Sequence, residues 1–150
     1  MAFNAPSLKG RALRLLGQRE HSRAELERKL RPHEESPGEL SSALDELQAK
    51  GFINEQRVLE SVVFRRAPRL GAMRVRQELQ AKGLAPEVIA QAVSDLQGSE
   101  VERAREVWRR KFGEPAADPS TRAKHMRFLA SRGFGAEAIR RVVKGALDEE

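Results

Sequence analysis

Cysteine is absent from this chain, so disulfides, thiolate metal sites and a cysteine nucleophile are excluded. The same absence fits a reducing compartment. Tyrosine is also missing, tryptophan occurs once, and aromatics make up only 5% of the 150 residues. No apolar run approaches the length of a signal-peptide core or a membrane span, so a cytoplasmic protein with no membrane contact is expected. Catalytic signatures are lacking too. There is no G-x-x-x-x-G-K-[ST] phosphate loop, no strand-borne G-x-G-x-x-G and no H-E-x-x-H. His21, His33 and His125 are scattered without metal-ligand spacing and read as surface residues. The expectation is a protein that is not an enzyme and carries neither metal nor cofactor.

Charge and helix formers fill the space those absences leave. Charged residues make up 33% and apolar residues 39%, rich in Ala, Leu, Glu, Arg and Gln. The net charge of +6 is unevenly spread. Seven cations face two acids from Arg57 to Lys82, and twelve face four from Arg103 to Lys144. Such an excess suits a polyanion or an acidic protein face, although solvated helix surfaces produce it as well.

Apolar residues recur at helical spacing throughout, and nothing alternates as a strand would. Ser22 and Glu25 form a capping box ahead of Leu26 and Leu30. Ser36, Pro37 and Glu39 predict a second box, starting a helix with Leu40, Leu44 and Leu47 inward. Asn54 caps a helix carrying Val58 and Val62, and Pro68 and Gly71 bracket the next break. Ser99 and Glu102 predict another capping box, leading a helix with Trp108 and Phe112 in the core. Residues 113–120 are the longest loop; a helix over 121–132 and one over 136–147, with Val142, Val143 and Leu147 inward, complete the chain.

These nine helices fall into three sets of three. A shift of 50 residues superposes Leu79 on Leu129, Lys82 on Arg132, Gly83 on Gly133, Ile89 on Ile139 and Val93 on Val143. The expected fold is all-α: three tandem three-helix repeats, 8–53, 54–98 and 99–147, stacked into an elongated, curved array. "LQAKGF", "LQAKGL" and "LASRGF" each end a helix with a cation, a glycine and an apolar residue, but only the last two are 50 apart. The middle helices carry Arg23, Arg28 and Lys29, then Arg74, Arg76 and Lys82, then Arg122, Lys124, Arg127 and Arg132. Stacked in order, these ten would line one basic surface able to track phosphates or a groove in a filament. A basic DNA-binding protein of helix-turn-helix type and a helical scaffold for another protein are the alternatives.

"ALRLLGQREHSRAELERKL", "LQAKGFINEQRVLESVVFRR", "GAMRVRQELQAKGLAPEVIAQAV" and "KHMRFLASRGFGAEAIRRVV" together resemble the RecX regulatory proteins, in order and spacing, from about Ala12 to Val143. Ala72 stands where that family usually has proline, and Asn54–Glu55 where an acidic pair often follows the first glycine-aromatic. The resemblance implies a curved array of three-helix units that is not itself an enzyme. It implies a monomer binding the RecA nucleoprotein filament in its groove, limiting filament growth and coupled ATP hydrolysis. Weak, non-specific contact with single- and double-stranded DNA is implied in general terms.

Overall fold

The computed structural model describes residues 5–148, with side chains described as far as residue 145. Among these residues there are nine α-helices and no strand: α1 (Leu8–Gln18), α2 (Arg23–Leu30), α3 (Glu39–Ala49), α4 (Glu55–Arg66), α5 (Ala72–Ala81), α6 (Pro86–Gln97), α7 (Glu100–Lys111), α8 (Pro119–Ser131) and α9 (Ala136–Asp148). A short 3-10 turn, Arg31–His33, follows α2.

Helix starts follow local side-chain chemistry, with three departures from the sequence reading. The Ser22–Glu25 capping box forms in full, and Asn54 Oδ1 accepts from the Arg57 amide at 2.9 Å. The expected box at Ser36 does not form around its hydroxyl. Gly38 takes a left-handed turn (φ 85°) and α3 starts at Glu39. Glu34 supplies the cap instead, its Oε2 accepting from the Leu40 amide at 2.8 Å. Ser99 does not cap α7 either. Its backbone lies at φ −111°, ψ 4°, outside the extended geometry a cap needs, and its hydroxyl donates to Leu96 O and accepts from Arg103 Nε. Thirdly, α8 begins at Pro119, because Asp118 Oδ1 accepts from the Thr121 amide at 2.7 Å and proline occupies the first turn.

The chain divides into two compact units: residues up to 61 together with 81–84, and residues 62–80 together with those from 85 onward. The first packs Leu8 and Ala12 of α1, Leu26 and Leu30 of α2, and Leu40, Leu44 and Leu47 of α3 around one core. The second packs Ala104 and Trp108 of α7, Leu129 of α8, and Ala138, Ile139, Val142 and Val143 of α9 with Phe134. The side chain of Leu147 lies outside the described residues.

Two histidines expected at the surface are buried: His21 is 1% exposed and His125 4%; His33 is exposed as expected. Each of the two has a ring nitrogen hydrogen-bonded within the fold. His21 Nδ1 lies 3.0 Å from Arg19 O and Nε2 lies 3.0 Å from Lys29 Nζ. A neutral ring protonated at Nδ1 serves both, donating to the carbonyl and accepting from the ammonium. In the second unit Trp108 Nε1 donates to His125 Nδ1 at 3.1 Å, and Phe112 stacks on the imidazole at 3.8 Å. Burial, then Lys124, pushes the His125 pKa below 6.5. A base whose folded pKa is depressed stabilises the fold above its unfolded value and loses that stability as pH falls. Trp108→Phe removes the donor from a buried acceptor, and denaturant melts followed by circular dichroism should show a loss of about 1–3 kcal/mol at neutral pH. The wild-type second unit, followed by Trp108 fluorescence, should weaken as pH falls through 6.5, and His125→Gln should remove much of that slope.

The glycine that ends α8 does more than stop it. Gly133 sits at φ 89°, and the carbonyls around it accept from the start of α5: Gly71 N to Arg132 O at 2.8 Å, Met73 N to Gly133 O at 3.3 Å, and Arg74 Nη1 to Ser131 O at 2.8 Å. Glu100 Oε1 accepts from the Ala72 amide at 2.9 Å. The free amides of one helix start therefore meet the free carbonyls of another helix end, with their dipoles matched. In the first unit the end of α5 meets α2 in the same register. Arg28 Nη1 donates to Ala81 O at 3.0 Å, and a Cβ on Gly83 would lie 2.8 Å from that of Ala24. Ala24, Ala81 and Gly83 plus 50 are Arg74, Ser131 and Gly133, so the glycine contact recurs with the 50-residue repeat, while the arginine donor does not: Arg28 plus 50 is Glu78. Gly51, the glycine of the odd hexapeptide, has open space beside it.

Candidate partner-binding surface

The ten cations expected to line one surface divide by what they touch. Several are tied into the fold. Lys82 Nζ lies 3.1 Å from Glu25 Oε1, with the lysine side chain 12% exposed. Arg23 pairs with Glu27 at 3.1 Å and Asp45 at 2.7 Å. Arg28 and Arg74 hold the helix-end carbonyls of the two joints, and Lys29 holds His21. Arg132 lies over the Phe128 ring at 5.0 Å while remaining exposed.

Arg76, Arg122, Lys124 and Arg127 are exposed and make no ion pair or hydrogen bond among the described residues. They do not share one face. Lys124 and Arg127 are three apart on α8 and point the same way, whereas Arg122, two residues before Lys124, points about 200° away. Arg74 and Arg76 diverge on α5 for the same reason. Under the 50-residue shift only Arg74 with Lys124 and Lys82 with Arg132 coincide; Arg76 falls on Met126 and Arg127 on Gln77. Within α5 and within α8, therefore, the cations do not all share one helix face.

Other cations gather outside the middle helices. Arg105, Arg141 and Lys144 converge on a hollow of about 380 Å³ with Val101 and Gly145 at its wall. The excess of cations between Arg103 and Lys144 is the signal, and α7 carries five of them against three each on α8 and α9. Arg103 is half-buried and committed to the fold, donating to Ala67 O at 2.8 Å and to Leu96 O at 3.0 Å. Among the described residues no group of His, Cys, Asp or Glu could hold a metal, and no helix is long and apolar enough to cross a membrane.

Family models for the first, second and third three-helix domains of RecX match residues 9–47, 54–93 and 99–143, in that order. The chain belongs to the RecX family. Relatives named "Regulatory protein RecX" include one from Leptothrix cholodnii, 53% identical over 146 residues and covering 96% of this chain and 93% of its own. Another, from Herminiimonas arsenicoxydans, is 45% identical over 150 residues, covering 100% and 99%. Among solved structures, RecX from Lactobacillus salivarius superposes with a TM-score of 0.75 at 21% identity, over 95% of this chain and 96% of that one. That likeness supports the fold. The family membership supports a regulatory role.

Proposed function

We propose that this protein is a non-enzymatic regulator of RecA that binds in the groove of the RecA–single-stranded DNA filament and limits its growth and ATP hydrolysis. The observation that carries the reading is the match of all three RecX domains, in order, to a chain as long as relatives named regulatory proteins. The exposed cations that the fold leaves uncommitted, Arg76, Arg122, Lys124 and Arg127, are the contacts we assign to the filament, with Arg132 and the basic hollow beside Arg105 in support. Cations already serving helix ends or carboxylates, such as Arg28 and Lys82, contribute to the partner chiefly by holding the fold. On this reading the protein itself is cytoplasmic, and its contact with free DNA is weak and non-specific.

The test is DNA-dependent ATP hydrolysis by RecA with the folded protein titrated in. Hydrolysis should fall, and a Lys124→Glu/Arg127→Glu variant should need roughly tenfold more protein for the same effect, as expected when charge pairs at a contact become repulsive. Unchanged hydrolysis at every ratio would refute the reading. Tight, sequence-selective binding to duplex DNA, by about a thousandfold over random sequence, would favour the helix-turn-helix alternative instead.

A further inference from the structure

Phe64 has no structural reason to be where it is. It stands on α4 with 83% of its surface exposed, the most exposed of the large apolar side chains among the described residues, and it borders a hollow of about 460 Å³. Val63, Ala67 and Pro68 wall that hollow on one side, and Glu102 and Glu106 of α7 edge it on the other. Arg103 also borders it, but its guanidinium is committed to the carbonyls of Ala67, Leu70 and Leu96, so it fixes the wall and offers little charge. A second hollow of about 370 Å³ adjoins the first, sharing Pro68 and Glu106. Its character is opposite. Arg69, Arg110, Lys111 and Arg132 surround it, and Phe128 lies at its base with Lys111 at 5.3 Å and Arg132 at 5.0 Å from the ring. Glu106 is the carboxylate there, and it already serves Arg109 and Arg110.

We propose that these adjoining hollows form a docking groove for an acidic protein segment. The segment sets a bulky apolar side chain beside Phe64 and, a few residues away, carboxylates against Arg69, Arg110, Lys111 and Arg132. An exposed aromatic on an apolar wall, beside a cationic hollow, complements an apolar anchor followed by acids. Nucleic acid fits less well: Glu102 and Glu106 repel phosphates from the apolar half, whose walls are otherwise aliphatic and give bases little to stack on. The groove shares Arg132 with the surface assigned to the filament but none of Arg76, Arg122, Lys124 and Arg127, and it stands apart from the identity of the regulated protein.

Fluorescein-labelled dodecapeptides test it by anisotropy against the full chain. One peptide carries Leu-Phe followed by four glutamates, a second has serines for Leu-Phe, and a third has lysines for the glutamates. The first should bind and the other two bind at least tenfold more weakly. Phe64→Ser and Arg110→Glu/Lys111→Glu should each weaken the first peptide about tenfold, with the circular dichroism spectrum and the Trp108 melting transition unchanged. The charge-reversed variant should gain affinity for the lysine peptide. No binding of the first peptide up to on the order of 100 µM, or binding indifferent to both variants, would overturn the proposal. So would two other results: loss of oligothymidylate binding in Phe64→Ser, which would make the occupant nucleic acid, or self-association in sedimentation that Phe64→Ser abolishes, which would make it a second copy.

Discussion

Gly133→Ala should destabilise the second unit by about 3 kcal/mol or more, among the larger losses any single methyl group can cause. Two costs add. At φ 89° a side chain is strained wherever it sits, which is worth about 1–3 kcal/mol. The added Cβ would also lie 2.7 Å from both the Cβ and the backbone nitrogen of Arg74 and overlap its Cγ. Trimming Arg74 to alanine cannot relieve this, because its Cβ and nitrogen remain. Gly71→Ala should behave alike for a different reason: its Cβ would fall into the Gly133 carbonyl and the Phe134 amide, and backbone cannot be trimmed at all. Gly51→Ala is the control, with the same left-handed backbone (φ 83°) and nothing within 4 Å, and should cost only the conformational part. Denaturant melts followed by Trp108 fluorescence report the second unit, where that residue lies in the core; for Gly51→Ala, in the first unit, circular dichroism is the readout. A Gly133→Ala loss no larger than that of Gly51→Ala would show that the joint yields.

The reason the sequence could point to this joint without describing it lies in how little each residue declares about distant partners. Leu26 and Leu30, or Leu44 and Leu47, announce a helix and its buried face through spacing alone, because the periodicity is local. Gly83 and Gly133 announced a helix end through the same local logic, and their 50-residue separation hinted at a repeat. That each glycine is also the point where another helix lands depends on Ala24 and Arg74, more than 50 residues away in sequence, and no local pattern encodes that. The cations show the limit most plainly. Lys82 and Arg132 are the same letter pattern, a last-turn cation before glycine, yet one is drawn onto a buried carboxylate and the other lies over an aromatic ring at the surface. His125 read as a surface residue because nothing in its own segment reveals that Trp108 and Phe112, one helix earlier, close over it. What the sequence missed among the candidate contacts, the basic hollow at Arg105 and the apolar wall at Phe64, are likewise products of helices brought side by side.

Glu25 is where that difference becomes measurable. From the sequence it is the acidic half of a capping box, and it does accept from the Ser22 amide at 3.0 Å. In the fold it also accepts from Arg19 at 2.7 Å and from Lys82 at 3.1 Å, with only 7% of its side chain exposed. Burial alone would raise its pKa; the bonds from Arg19, the Ser22 amide and Lys82 outweigh burial and hold it at about 2, against an ordinary value of 4.5. A carboxyl whose folded pKa is depressed contributes stability that is complete above its unfolded pKa and is lost as pH falls toward the folded one. The window is therefore from about pH 4.5 down to about 2. The shift corresponds to about 3 kcal/mol at most, and nearer 2 once solvent screening of the half-exposed Arg19 is allowed for. Glu25→Gln should lower the stability of the first unit at pH 7 by about 2–3 kcal/mol and remove a similar amount of its acid sensitivity, read as the change in denaturant midpoint between pH 7 and pH 3 by circular dichroism. An unaltered acid slope would mean that Glu25 is not the group that senses pH there. Lys82→Gln separates the two roles open to that lysine. If its charge serves the fold, the variant loses stability at neutral pH because the buried Glu25 carboxylate loses one of its two cations, by about 1–3 kcal/mol, while each folded molecule keeps its effect on the regulated partner; a folded variant that has lost that effect would return Lys82 to the contact surface.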